Sequence, residues 1–210
     1  MPEPASPTDQ GRRQRCHRQT GESMDEKTLQ RLADREAIRD VLMRYSRGVD
    51  RHDLAALKSC YHADSYDDHG HFKGNGQDFA EYILGSLAQR THHSTHSVLN
   101  HVIEFDDQDA DKAYAETYGV AYLRRTDDKG AEWLDIFSGR YVDVFTRRAG
   151  EWRILSRSVV HDWSFSQKLD AGSSFPLQIS NFTQGQRGGP DFIYQSRAGK
   201  FPPPVPRKGR

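Results

Sequence analysis

The chain has 210 residues, and its 30 Lys or Arg and 30 Asp or Glu residues leave a formal net charge of zero. Nucleic-acid-binding proteins usually carry an excess of basic residues, which this chain lacks, so we predict no nucleic-acid partner. No apolar run approaches the ~18 residues of a membrane span, and no apolar segment follows the N-terminal arginines as in a secretory signal. We therefore expect a cytoplasmic protein with no membrane partner.

Only 35% of the residues are hydrophobic, which is low for a compact globule. Polar ends explain this value, because both ends are rich in Pro, Gly, Ser or Arg and lack periodicity. We predict a disordered N-terminal extension over 1–23, one folded domain over 24–165, and a C-terminal arm or disordered tail over 166–210. Met24 is a second possible start, and the sequence leaves that choice open.

The first half of the chain has helical periodicity. Ser23 and Glu26 have capping-box spacing, and apolar residues then recur at helical spacing as far as Val49. Asp53 is placed to cap a short second helix over 54–61. After a polar loop over 64–76, a third helix is predicted over 78–89.

From His93 onward the hydrophobic period drops to two. We predict strands over 93–106, 112–125, 133–147 and 151–163, with a short strand near 66–72 pairing to the same sheet. Helices followed by a meander indicate an α+β fold rather than alternating βαβ units.

Two residues suggest proton-transfer chemistry. Asp50 ends the first helix beside its apolar stripe, and a buried carboxylate needs a partner. His96 lies in a predicted strand, and a histidine is suited to removing a proton near neutral pH. The residues alone leave two alternatives open: Asp50 as a solvated residue or helix cap, and His96 as a core histidine bonded to backbone.

Other side chains are weaker candidates. Tyr45 is a possible acid or hydrogen-bond donor, or a packed core tyrosine. Asn100 can support His96 or cap a strand end. Arg157 and His161 share a face of the last strand and can bind a substrate, or Arg157 can be exposed or part of an interface. A metal site at His69, His71 and His93 is geometrically possible, but we predict no metal.

A set of stretches occurs in a distinctive order from residue 29 to 164. They are Leu32 to Leu42, Tyr45 with Val49-Asp50, Tyr61 to Asp64, Thr95-His96 with Asn100-His101, Gly139 to Asp143, and Trp152 to Ile154 leading to Val159 to Trp163. In this order and spacing the chain resembles the SnoaL-like family of the nuclear transport factor 2-like superfamily.

The resemblance implies a cone-shaped, curved antiparallel sheet closed by three N-terminal helices around a pocket, commonly in a homo-oligomer (dimer or trimer). The family's dehydrochlorinase and bile-acid dehydratase use a His–Asp pair, and Asp50 and His96 stand where that pair falls. Tyr45 matches a tyrosine one turn before the aspartate, Arg157 lies on a strand where those relatives place an arginine, and Tyr66 lies where the family lines the pocket mouth.

Two functions follow as hypotheses. The first is a lyase, dehydratase or isomerase without a cofactor, which removes a proton from a largely apolar alicyclic or polycyclic small molecule. The alternative is a non-catalytic ligand-binding or scaffold module, such as the small subunit of a ring-hydroxylating dioxygenase. The fold does not decide between them. A hydrolase with a nucleophile has little support, since the chain has no Gly-x-Ser-x-Gly motif.

Overall fold

The computed structural model describes residues 25–169, 179–200 and 202–203. In chain order the elements are α1 (Glu26–Arg51), α2 (Leu54–Lys58), β1 (Tyr61–Asp68), β2 (Lys73–Asn75), α3 (Gly76–Arg90), β3 (His93–Phe105), β4 (Lys112–Thr126), β5 (Glu132–Arg148), β6 (Glu151–Lys168), a 3-10 helix (Ile179–Asn181) and α4 (Phe192–Arg197). The predicted order of helices and long strands is confirmed.

The fold is α+β, and its six strands form one curved sheet in the order β2-β1-β6-β5-β4-β3. Two details differ from the predicted fold class. The β1–β6 pair is parallel, an arrangement that the long connection between these strands permits and a hairpin would not. The third helix, α3, follows β1 and β2, in line with the short strand predicted near 66–72, so the detail of three N-terminal helices is not confirmed.

The main core lies between α1 and the sheet. Ile38, Val41 and Leu42 are almost fully buried on α1, and Phe145 and Ile154 are fully buried on β5 and β6. Burying side chains of this size stabilises the fold by roughly 1.5–3 kcal/mol each. A polar contact fixes the same interface, because the indole Nε1 of Trp152 donates to Asp34 over 2.9 Å. Helix α1 therefore has a set position on the sheet.

Short polar side chains cap the helices. The Asp25 carboxylate accepts from the backbone N–H of Thr28 and caps α1, whereas the predicted cap residue Ser23 lies outside the described residues. Asp53 caps α2 by accepting from Ala56 N over 3.0 Å, which confirms the prediction. The backbone of His52 has a φ of 52°, and this left-handed residue turns the chain at the end of α1 towards α2.

Bulges in two strands change which residues face inward. In β3 the register shifts between Val98 and His101, so residues of even number point inward before the shift, and residues of odd number such as Ile103 are buried after it. In β6 a shift near Leu155 has the same effect, with Ile154 buried before it and Arg157 buried after it. Strict alternation, as used in the sequence analysis, therefore fails at both places.

The C-terminal part of the chain contacts the domain. Strand β6 runs to Lys168, beyond the domain end predicted at residue 165. Further on, Arg187 donates to the carbonyl O and to Oγ1 of Thr91 over 2.8 Å each, and Asp191 pairs with Arg51 at 3.2 Å. The predicted disordered extension over 1–23 lies outside the described residues. Within the described ranges, no helix has the length and apolarity needed to cross a membrane.

Candidate active site

A cavity of about 190 Å³ lies between α1, α3 and the curved part of the sheet. Its sheet wall includes Gly119 and Gly139, which face each other in the register of β4 and β5. A Cβ on Gly139 would clash with the carbonyl O of Val160, so the close approach of β6 at this part of the wall requires a glycine. The other lining residues are Tyr45, Val49, His69, Ile83, Leu87, Arg90, His96, Ala121, Leu123, Phe137, Tyr141 and Val159. The cavity is therefore mostly apolar, and its polar groups are two histidines, two tyrosines and one arginine.

The first histidine is held by a carboxylate from α1. Asp50 and His96 lie 46 residues apart, and Oδ1 of Asp50 is 2.7 Å from Nδ1 of His96. The other oxygen of Asp50, Oδ2, accepts from the backbone N–H of His96 over 2.8 Å. Both oxygens of the carboxylate therefore bind the same residue. This double contact fixes the ring and the strand together, and it leaves Nε2 on the ring edge away from Asp50.

Electrostatics support an ionised Asp50. Burial alone would raise the pKa of its carboxyl group, but the hydrogen bonds and charge of His96 outweigh burial and lower the pKa below its usual value. An ionised carboxylate accepts but does not donate, so it takes the Nδ1–H of His96. The neutral ring then has an unprotonated Nε2, which is the atom that a general base needs.

A second histidine–carboxylate pair lies in the same cavity. The Nδ1 of His69 contacts Oδ1 of Asp67, and Oδ2 of Asp67 accepts from the hydroxyl of Tyr61 over 2.6 Å. On the other side of the ring, Nε2 of His69 is 3.1 Å from the hydroxyl of Tyr45. The His69 ring also stacks on Phe79 with 3.9 Å between the ring centroids. These contacts connect four polar side chains into one hydrogen-bonded row.

Burial determines the charge states in this row. It lowers the pKa of His69, although Asp67 acts in the opposite direction, so the imidazole is neutral at pH 7. Burial also raises the pKa of Tyr45 well above its usual range. With Nδ1–H directed to Asp67, the neutral ring accepts at Nε2, and the Tyr45 hydroxyl donates to it. From the sequence, His69 is a candidate only as a metal ligand, and its role in this row was not predicted.

Arg157 does not line the cavity, contrary to the expected substrate contact. Its side chain is 0% exposed and binds Asp143 through two hydrogen bonds, of 2.8 Å from Nε and 2.7 Å from Nη2. The guanidinium carbon lies 4.3 Å from the ring centroid of Tyr45 and 4.1 Å from that of Tyr141. Arg157 therefore supports the wall that holds Tyr45.

The other predicted substrate-binding residues lie apart from the cavity lining. Tyr66 is 44% exposed on β1, and Asn100 is exposed beside the β3 bulge that turns it out of line with His96. His161 is exposed on β6, although its ring is 5.2 Å from that of Phe137, a lining residue. Of the seven predicted site residues, the structure brings three together: Tyr45 and His96 line the cavity, and Asp50 binds His96.

The possible metal ligands do not converge. His69 is bonded to Asp67, and both His71 and His93 are exposed. In the part of the chain that the structure describes, no group of three or more His, Cys, Asp or Glu side chains is arranged to hold a metal ion.

The fold and the cavity define a class of small α+β domains in which a curved sheet and helices enclose a largely apolar pocket with a few polar groups. The model of the SnoaL-like domain matches residues 30–158, and the chain belongs to this family, within the nuclear transport factor 2-like fold. No curated protein matches the chain significantly.

Solved structures share the fold. The protein named "Putative Scytalone Dehydratase" from Novosphingobium aromaticivorans DSM 12444 is 19% identical, with a TM-score of 0.59 over 72% of this chain and 99% of that chain. The type 3 hexachlorocyclohexane dehydrochlorinase from Novosphingobium barchaimii LL02 is 23% identical, with a TM-score of 0.59 over 71% and 99%. The type 2 enzyme is 22% identical, with a TM-score of 0.59 over 70% and 97%. At these identities the likeness concerns the fold.

Proposed function

We propose that the protein is a lyase of the dehydratase type or an isomerase, acting without a cofactor on a largely apolar alicyclic or polycyclic small molecule. His96 removes a proton from a carbon next to an activating group, and Asp50 orients the imidazole. Tyr45 contacts an oxygen of the substrate. The observation that carries this proposal is the Asp50 carboxylate, which binds both Nδ1 and the backbone N–H of His96 beside an open apolar cavity.

The chemistry follows from the ring geometry. When Nε2 takes a proton, His96 becomes an imidazolium, and the ionised Asp50 at Nδ1 stabilises this charge. General base catalysis of this kind contributes about two to four orders of magnitude in rate. The apolar lining contributes the rest by holding the substrate near the base and by excluding water.

The mainly apolar lining supports an apolar ring system as the substrate. Ile83 and Leu87 on α3 line the cavity together with Phe137 and Val159 on the sheet. A volume of about 190 Å³ accommodates a small ring compound rather than a peptide or a nucleotide. A scaffold module would not require a fixed base beside an open pocket, so this arrangement favours an enzyme over that alternative.

Proton abstraction can be tested without knowing the natural substrate. Elimination, isomerisation and cyclisation share this first step, which also exchanges the hydrogens beside a carbonyl group. We would incubate the protein with cyclohexanone and with 2-tetralone in D₂O, and follow loss of the α-hydrogen signals by ¹H NMR. We expect exchange above the buffer rate, and a decrease of about 100-fold or more in His96→Ala.

The matched control is His93→Ala, which removes an exposed histidine from the same strand and should leave exchange unchanged. Circular dichroism would establish that both variants fold. Exchange at the wild-type rate in folded His96→Ala would refute His96 as the base. Exchange no faster than in buffer for the wild-type protein with both ketones would favour the scaffold alternative. The homo-oligomer, predicted to be a dimer or trimer, can be tested separately by measuring the mass of the protein in solution by analytical ultracentrifugation.

A further inference from the structure

The second histidine–carboxylate pair has no role in the proposal above. Asp67 is fully buried, and its two oxygens accept from His69 and Tyr61. A buried carboxylate costs free energy unless it is paired, so apolar side chains at the end of β1 would be more stable if this segment only bounded the cavity. The row ends at the hydroxyl of Tyr45, and both Tyr45 and His69 line the cavity. The arrangement therefore connects a buried charge to a group that a substrate can touch.

The direction of the hydrogen bonds depends on one proton. With His69 neutral, the Tyr45 hydroxyl donates to Nε2, and the phenol oxygen can only accept from a substrate. With His69 protonated, Nε2–H donates to the phenol oxygen, and the Tyr45 hydroxyl is free to donate into the cavity. Protonation of His69 therefore converts Tyr45 from an acceptor to a donor.

We propose that His69 and Asp67 form a proton relay that acts through Tyr45 on the leaving oxygen of the substrate, so that the reaction is the elimination of water from an alicyclic β-hydroxy ketone. This proposal rests on the proposed function, because it needs His96 to remove the carbon proton. His69 acts through Tyr45 and is a positioning and relay residue. Tyr45 is the group that touches the substrate.

Elimination of water breaks two bonds of the substrate. The C–H bond breaks, its proton goes to Nε2 of His96, and its electron pair forms the C=C bond. The C–O bond breaks, and the oxygen keeps that electron pair, takes the hydroxyl proton of Tyr45 and leaves as water. Tyr45 then takes the Nε2 proton of His69. His96 returns its proton to solvent, and His69, whose side chain is 18% exposed, takes one up.

This relay matters only for some leaving groups. Hydroxide is a poor leaving group and needs a proton, whereas halide and carboxylate ions leave without one. A site for halide elimination does not need a protonated histidine that resupplies a proton to a tyrosine. The row from Tyr61 to Tyr45 thus selects hydroxyl-bearing substrates over halogenated ones.

The groups around His69 set its working range of pH. Tyr45 faces it from α1, and the residue packed on it from α3 is the uncharged Phe79. The titratable or charged groups on the strands are Tyr61, Asp67, Tyr141, Asp143 and Arg157. Because Asp143 and Arg157 neutralise each other, Asp67 is the main group that favours the charged ring. We expect the relay to weaken as pH rises above the pKa of His69.

The test compares two leaving groups on one ring. 3-Hydroxycyclohexanone and 3-acetoxycyclohexanone both give 2-cyclohexenone, which is followed by its ultraviolet absorbance, but only the first needs a proton for its leaving group. At a pH below the pKa of His69, we expect His69→Gln to lower kcat for the hydroxy ketone by about 100-fold and for the acetoxy ketone by less than about threefold. His62→Gln, at a buried histidine that bonds to the Thr146 carbonyl outside the cavity lining, is the matched control.

The pH dependence of the two reactions distinguishes a proton relay from a purely structural role of His69, because a structural role would not change it. Dividing kcat/KM for the hydroxy ketone by the value for the acetoxy ketone cancels the pH dependence of every step that both reactions share, including removal of the carbon proton. In the wild-type protein we expect this ratio to fall about tenfold per pH unit above the pKa of His69, and in His69→Gln to stay flat. Equal losses for both ketones in His69→Gln, or a flat ratio in the wild-type protein, would overturn the relay.

A measurement without turnover separates this proposal from the proposed function. Long-range ¹H–¹⁵N spectra of the histidine rings, assigned with His69→Gln, should show the Nδ1–H tautomer of His69 at pH 7.5, with an Nε2 shift that changes in Tyr45→Phe. The Nε2–H tautomer would overturn the relay even if both ketones react. If neither ketone reacts, the elimination step of the proposed function fails, and the spectra still decide the relay.

Discussion

The two histidine–carboxylate pairs of the cavity are made of the same groups, yet they leave different atoms unused. Asp50 commits both oxygens to His96, one to Nδ1 and one to the backbone, and Nε2 of that ring faces away from it. Asp67 shares its oxygens between His69 and Tyr61, and Nε2 of His69 is already bonded to Tyr45. The presence of a His–Asp pair therefore does not define a base. A base is defined by the ring nitrogen that remains free to accept a proton.

The pairs also differ in how the chain builds them. Asp50 and His96 are 46 residues apart and meet only when α1 packs on β3. Asp67 and His69 are two residues apart, at the end of β1, and α3 covers them with Phe79. The first pair consequently depends on the global fold, whereas the second is local and depends on how well one helix covers it. Substitutions should therefore affect the activity and stability contributed by the two pairs differently.

The largest difference should appear when each aspartate is replaced by asparagine. Asp50→Asn places an NH₂ group against either the backbone N–H or Nδ1 of His96, and the second case puts the ring proton on Nε2. We expect ketone hydrogen exchange to fall by about 100-fold or more. Asp67→Asn should lower it by less than about tenfold, since exchange has no leaving group. An equal loss in both variants would place the relay at the substrate carbonyl instead.

A smaller difference should appear in stability at the two ends of the second row. Tyr61→Phe removes a donor from the fully buried Asp67, and we expect the free energy of unfolding to fall by about 1–3 kcal/mol. Tyr45→Phe should cost less, about 0.5–1.5 kcal/mol, because water in the cavity can replace the lost donor at His69. Urea unfolding measures both, with the exposed Tyr66→Phe as control. The reverse order would contradict the inferred bonding.

The two pairs should lose stability in different pH ranges. Burial lowers the pKa of His69 below its usual 6.5, so below pH 6.5 the unfolded chain binds more protons, and stability falls as pH falls. Asp50, whose pKa lies below its usual 3.8, loses its contribution only in stronger acid. We expect the drop in Tm between pH 7 and 5 to shrink in His69→Gln but persist in part, since the pKa values of His52 and His62 are also lowered by burial.

In that series, substitution of the exposed His71 in the same loop supplies the control. A Tm profile of His69→Gln that matches the wild-type profile between pH 7 and 5 would mean that His69 does not titrate with a depressed pKa. The row would then lack the neutral histidine that sets the direction of its hydrogen bonds.

The sequence predicted the elements well, because their signals are local. The change of hydrophobic period at His93 and the cap residue Asp53 need no knowledge of the rest of the fold, and the structure has β3 and α2 beginning at these points. The pairing of Asp50 with His96 came from the family resemblance rather than from periodicity. Alternation alone did not decide which face of β3 is inside.

What the sequence did not reveal depends on contacts distant along the chain. The bulge after Val98 shifts the register of β3 and turns Asn100 outward, and alternation gives no sign of it. Arg157 is buried because Asp143 and two tyrosine rings surround it, an environment supplied by α1 and β5. His69 has one local signal, since it continues the period-two row of Asp67, but its burial comes from Phe79 on α3.

The smallest effect concerns the C-terminal segment, which lies behind the first pair. Arg187 bonds to the carbonyl and hydroxyl of Thr91, and Arg187→Gln should lower the free energy of unfolding by about 0.5–1.5 kcal/mol. Arg187 does not line the cavity, so ketone exchange should change by less than about threefold. The exposed Arg197→Gln on α4 is the matched control. A loss of exchange as large as that of Asp50→Asn would extend the active site to this segment, and the base would then depend on three parts of the chain rather than on α1 and β3 alone.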